Sequence, residues 1–252
     1  MCVLITANQV CGNRVVIVCG HYGTGKTEFS VNYIMELARK SPRTILADID
    51  IVNPYFRSRE RRMQLQNAGV RLISSSQECS DADVPALPAE LLTLLEDRSY
   101  RGVLDVGGDP AGARVLARFQ PQIIREDYRL LFVLNANRPE VSTAEKALVY
   151  LRSIEAVTGL TCGGIINNTH LCGETTAHEI LKGAELARQV SEESGIPVVC
   201  HVAERRLCEE ESLSGLRLFP IDIYMKKPWE LSAEHPNTGR EESYNHEGKG
   251  NV

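Results

Sequence analysis

The chain has 252 residues, 43% of them hydrophobic and 24% charged, which suits one α/β domain with a large buried core. A net charge of -5 gives no overall attraction to nucleic acid or to an anionic membrane surface. The eight cysteines (Cys2, Cys11, Cys19, Cys79, Cys162, Cys172, Cys200 and Cys208) form no C-x-x-C pair, which argues against a zinc site. Several lie in apolar runs, where a reduced cysteine behaves as a small hydrophobe. The N-terminus lacks a basic segment, and no run approaches the ~18 apolar residues of a membrane span, so the expected compartment is the cytoplasm.

In chain order, Val15 to Cys19 is a short β-branched run that predicts a buried strand. Gly20-His21-Tyr22-Gly23-Thr24-Gly25-Lys26-Thr27 follows at once and matches G-x-x-x-x-G-K-[ST]. Its glycines let successive backbone N–H groups turn inward, and the helix N-terminus behind them adds partial positive charge, so the loop is expected to hold a phosphate chain. Lys26 is placed to reach the β- and γ-phosphates and the Thr27 hydroxyl to join the shell of a Mg²⁺. The helix near Lys26 to Lys40 carries Phe29, Tyr33 and Leu37 on one face, which should pack on the sheet.

The next strand, Thr44 to Ala47, ends in Asp48-Ile49-Asp50, two carboxylates that alternation sends to one side. Arg57, Arg59, Arg61 and Arg62 follow and read as a solvated helical face, with an arginine finger the sharper alternative. After a strand at Val70 to Ile73, the short strand Val103-Leu104 ends in Asp105-Val106-Gly107-Gly108. This D-x-x-G makes Asp105 a metal-holding candidate at the Walker B position and Gly108 a γ-phosphate donor candidate. Of Asp48 and Asp50, one is a candidate for Mg²⁺ and the other for positioning water, so three acids fall at strand ends around one loop.

Strands are expected at Leu130 to Leu134, Gly164 to Ile166 and Val198 to His201, and helices after the capping boxes Ser142-x-x-Glu145 and Thr176-x-x-Glu179. His170, Cys172 and His178 lie between two of these elements without a repeating ligand spacing, so metal binding there is disfavoured. Strands alternating with helices predict a three-layer α/β/α fold on a mostly parallel sheet. One nucleotide-binding domain is expected over 1–231 and a polar, apolar-poor tail over 232–252.

The phosphate loop with Glu28, the segment Asp48-Ile49-Asp50-Ile51-Val52-Asn53-Pro54-Tyr55 and the segment Asn135-Ala136-Asn137-Arg138-Pro139-Glu140 together resemble the SIMIBI class of P-loop NTPases, and within it the ParA/MinD-like ATPases. The resemblance covers roughly 14–201. It implies ATP and Mg²⁺ as ligands, slow ATP hydrolysis, a homodimer that sandwiches the nucleotide, and switching of a protein client. It also implies that Gly20 to Glu28 contact the nucleotide, that Lys26 and Asp50 act in hydrolysis, and that Asn167 or Asn168, ending the sixth strand, reads adenine. The N-K-x-D of GTP-binding relatives is absent, which favours ATP over GTP. Where the ParA/MinD-like proteins carry an extra lysine that reaches across the dimer, this chain has His21, expected to cap the loop. A small-molecule kinase resembling dethiobiotin synthetase, or a metal- or cofactor-insertion ATPase, is the alternative reading.

Overall fold

A computed structural model describes residues 2–49, 59–74 and 87–224. Asp50, Arg57, Cys79 and the expected tail therefore lie outside the described residues. Among those described, nine strands form one sheet in the order β1-β9-β8-β7-β6-β2-β5-β3-β4. The strands are β1 (Val3–Leu4), β2 (Val15–Cys19), β3 (Thr44–Asp48), β4 (Val70–Ser74), β5 (Arg101–Asp105), β6 (Tyr128–Leu134), β7 (Cys162–Asn167), β8 (Val198–Glu204) and β9 (Arg217–Ile221). Each neighbouring pair is parallel.

Parallel pairing needs crossovers, and helices supply them on both faces. Helices α1 (Ala7–Val10), α2 (Lys26–Ala38) and α3 (Arg59–Asn67) put Val10, Phe29, Tyr33, Leu37 and Leu65 into one core with Val16, Val18 and Val103. Helices α4 (Leu87–Glu96), α5 (Pro110–Ile123), α6 (Ala144–Thr158) and α7 (Ala177–Ser194) cover the other face, where Leu94, Leu116, Leu151 and Val190 pack on Ile17, Leu104 and Phe132. The architecture is the three-layer α/β/α arrangement that the sequence pattern predicts. Residues of β2 alternate between the two cores, and all five are buried, which is why this strand reads as a continuous apolar run.

The Thr176 capping box forms as expected, with the Glu179 carboxylate accepting from Thr176 N at 2.8 Å. The other cap is displaced by one residue. Thr143, not Ser142, caps α6 by accepting from Lys146 N, while Ser142 closes a short 3₁₀ turn over Pro139–Val141 by donating to Pro139 O. Strands β1 and β9 are additions to the expected set. Pro220 argues against a strand in the sequence, but it pairs with Ala203 on one side only, beyond the two-residue β1, where its missing N–H costs no ladder bond. No helix among the described residues is long and apolar enough to cross a membrane.

Candidate phosphate-binding site

Strand β2 lies between β5 and β6, and the loop at Gly20 to Gly25 leaves its carboxyl end to enter α2. Two glycines in the loop are required by its shape. Gly25, directly ahead of α2, has φ +79°, and a Cβ there would stand 2.3 Å from Asn168 Nδ2. Gly23 has φ +76°, and its Cβ would meet the Arg138 guanidinium at 2.7 Å. The backbone is thus free to curl because nothing projects from it. Thr24 is fully buried and donates through Oγ1 to His21 O at 2.9 Å, closing the turn from inside. Lys26 is 7% exposed and donates through Nζ to His21 O at 3.2 Å, so its ammonium lies on the loop itself.

Two of the three expected carboxylates, Asp48 and Asp105, lie among the described residues, at strand ends on the side of the sheet where β2 runs into this loop. Asp48 and Asp105 are register partners at the ends of β3 and β5, and both are buried. Val18, the residue before Cys19, pairs with Asp105 on the other side. Ser30 of α2 donates to Asp105 Oδ1 at 3.3 Å, which places Asp105 on the α2 side of the sheet. Thr27 lies one turn nearer the helix N-terminus, on the same face as Ser30. Gly108 presses on the loop, since a Cβ there would stand 2.7 Å from Tyr22 N and 3.0 Å from Lys26 Nζ. The Tyr150 hydroxyl of α6 donates to Gly108 O at 2.9 Å and to Gly20 O at 3.4 Å, tying the D-x-x-G turn to the start of the loop. Sequence reasoning missed Tyr150, which belongs to an ordinary helical face and has no motif around it.

On the far side, β7 delivers the two asparagines. Asn168 donates through Nδ2 to Thr24 O at 2.9 Å and Gly25 O at 3.2 Å, bracing the loop. Asn167 turns away. Its amide donates to Ile180 O at 2.9 Å and meets His201 Nδ1 at 3.1 Å, and its Oδ1 accepts from Thr169 N. His170 packs beside Gly25 and accepts from Cys172 N through Nδ1. Burial and the nearby Arg138 charge push its pKa down to about 4, so it is neutral near pH 7. Its remaining Nε2 is buried and makes no hydrogen bond to a described residue.

Other expected participants sit differently. The Glu28 carboxylate accepts from Tyr224 N at 2.8 Å, on the side of α2 that meets the end of the described chain. His21 packs edge-on against Tyr150, with ring centroids 5.3 Å apart, and its Nδ1 is 3.9 Å from the Glu140 carboxylate. Tyr22 is 61% exposed at the loop's tip. His170, Cys172 and His178 do not come together with other donors as a metal cluster among the described residues.

No protein-family model matches the sequence, and the search of curated proteins returns no match. Solved structures match in fold. The cell division protein FtsY of Thermotoga maritima aligns at 19% identity and a TM-score of 0.51, over 80% of this chain and 63% of that one. Chloroplast FtsY of Physcomitrella patens aligns at 15% identity and a TM-score of 0.52, over 77% of this chain and 64% of that one. FlhF, solved in complex with GTP/Mg²⁺, aligns at 15% identity and a TM-score of 0.51, over 81% and 72% of the two chains. This chain therefore spans less than two thirds of either FtsY protein. The parallel sheet, its helical layers and these likenesses show that the chain shares the three-layer α/β/α fold of FtsY and FlhF.

Proposed function

We propose that the chain is a Mg²⁺-dependent P-loop nucleoside triphosphatase that uses ATP and works as a nucleotide-dependent switch on a protein partner. The observation that carries this reading is the pairing of Asp48 with Asp105 on adjacent strand ends, beside a loop on which Lys26 Nζ and Gly108 converge. Backbone N–H groups of the loop and the start of α2 favour an anion, and Lys26 adds a full charge. The donor set of Thr27 hydroxyl with Asp48 and Asp105 carboxylates is all hard oxygen and suits Mg²⁺, which when bound would neutralise negative charge on the phosphates. Asp50, two residues past Asp48, is assigned to orient the attacking water.

The base preference rests on Asn168. Its Nδ2 is committed to two loop carbonyls, which fixes the amide orientation and leaves Oδ1 as an acceptor with no hydrogen bond to a described residue. An acceptor suits the exocyclic amine of adenine and opposes the carbonyl of guanine. Three residues on, where N-K-x-D has its guanine-binding acid, stands Leu171, 47% exposed. Asn168 is therefore the adenine reader in this proposal, with Asn167 as its support. The homodimer and the client come from the resemblance to ParA/MinD-like proteins. A competition titration tests the base assignment: ATP should displace a labelled nucleotide at lower concentration than GTP, and equal or reversed affinities would overturn it.

A further inference from the structure

We propose that Arg138 supplies, from within the same chain, a second cation of the phosphate site, gripping the α- and β-phosphates from the side of the loop opposite Gly108. This rests on the nucleotide reading above and deepens it. Arg138 follows β6 and Gly108 follows β5, the two strands that flank β2, so the two residues approach the loop from opposite sides. Gly108 and the paired carboxylates occupy the β5 side, where the metal and γ-phosphate belong. Asn168 occupies the β7 side, where the base belongs. Arg138, arriving from β6, meets the loop at Gly23, on the side nearer the strand that carries Asn168, and in this proposal that assigns it the phosphates nearest the sugar.

The geometry is that of a presented donor. Arg138 Nε donates to Gly23 O at 2.8 Å, and the guanidinium lies flat on Gly23, so that a Cβ there would stand 2.7 Å from Cζ and Nε and 2.9 Å from Nη2. That single bond fixes the plane of the fork, and the Nη nitrogens make no hydrogen bond or ion pair to a described residue. The neighbouring Glu140 does not pair with it, since its carboxylate lies near His21 instead. A partly buried guanidinium without a carboxylate partner among the described residues, held on the loop that leads into the positive end of α2, adds a second positive charge to the loop that carries Lys26. An anion with several oxygens resolves that arrangement, and a planar fork binds phosphate oxygens well. The same charge helps hold His170 neutral. Since His21 stands where the ParA/MinD-like proteins carry their cross-dimer lysine and packs on Tyr150, a cation provided in cis makes the charge of the site independent of a second subunit.

The test compares the parent chain with Arg138→Ala, Arg138→Gln and Arg138→Lys, measuring calorimetric affinity for ADP and for a non-hydrolysable ATP analogue at several salt concentrations, and single-turnover hydrolysis at saturating ATP. Arg138→Ala should weaken ADP and the analogue alike, by about tenfold or more, and make the remaining binding less sensitive to salt. Arg138→Gln, which keeps a donor for Gly23 O without the charge, should behave like alanine, while Arg138→Lys should recover part of the loss. Hydrolysis at saturation should stay within roughly twofold of the parent, because the contact exists already in the ground state. Undiminished binding by Arg138→Ala, full rescue by Arg138→Gln, or a loss confined to the hydrolysis rate would each overturn the proposal while leaving the nucleotide reading intact. A parent chain that binds neither nucleotide would overturn both.

Discussion

Replacing Gly25 by alanine perturbs the loop at the point where it is held most closely. The residue has φ +79°, a conformation that costs an L-amino acid roughly 1 kcal/mol. The new Cβ would stand 2.3 Å from Asn168 Nδ2, a buried amide that cannot stay in place. Its displacement breaks the bonds to Thr24 O and Gly25 O, and a buried carbonyl left without its donor costs about 1–3 kcal/mol. Against this, alanine reduces the entropy of the unfolded chain by a stabilising ~0.4–1 kcal/mol. The balance is a destabilisation of about 1–3.5 kcal/mol. With a urea dependence of about 3 kcal/mol per M, the unfolding midpoint should fall by roughly 0.3–1.2 M. The assay is urea unfolding followed by circular dichroism, with nucleotide affinity measured alongside. A midpoint within about 0.2 M of the parent would refute the argument that Asn168 and Gly25 form one bracing unit.

Asp105 and Asp50 should separate by function: Asp105→Asn weakens Mg²⁺-dependent nucleotide binding, while Asp50→Asn retains binding and slows single-turnover hydrolysis, and a variant of Asp50 that hydrolyses ATP at the parent rate contradicts its assignment. Acid sensitivity follows from two half-buried histidines, since desolvation lowers both His170 and His201 to about 4. The folded chain keeps them neutral, so as pH falls from about 6.5 toward 4 the unfolded state takes up their protons first and stability is lost. Their contribution is fully present only above about pH 6.5. His201→Asn should therefore show a shallower loss of unfolding free energy between pH 7 and 4.5 than the parent, and an identical slope in the two proteins contradicts the assignment.

The parts of this molecule that repeat along the chain were the most legible. Val15 to Cys19 announced a doubly buried strand because both of its faces meet a core, and the glycine spacing of 20–27 announced a curled loop because no other residue type tolerates Gly25's conformation or Gly23's contact. Asp48 and Asp105 were legible as strand-end acids, but their side-by-side pairing depends on β3 and β5 being neighbours, a fact of sheet order that no local pattern encodes. The choice between Asn167 and Asn168 was illegible for a related reason. Alternation sends adjacent side chains to opposite faces of β7, and only the position of α7 decides that Asn167 meets Ile180 O while Asn168 reaches the loop. Arg138 and Tyr150 approach the loop across 115 and 130 residues of sequence, a closeness that the sheet order creates and no local pattern encodes. The cap at Thr143 was missed because two adjacent hydroxyl residues compete for it, and the 3₁₀ turn at Pro139–Val141 consumes the first.

The central claim is that the loop at Gly20 to Thr27 binds a triphosphate through Lys26, whose ammonium lies on the loop and takes no part in either hydrophobic core. Calorimetric titration of Mg²⁺·ATP into the parent and Lys26→Ala, with circular dichroism of both, tests it most directly. The account predicts saturable binding by the parent, no measurable binding by Lys26→Ala, and matching spectra and unfolding midpoints. Equal ATP affinity in two equally folded proteins would contradict it.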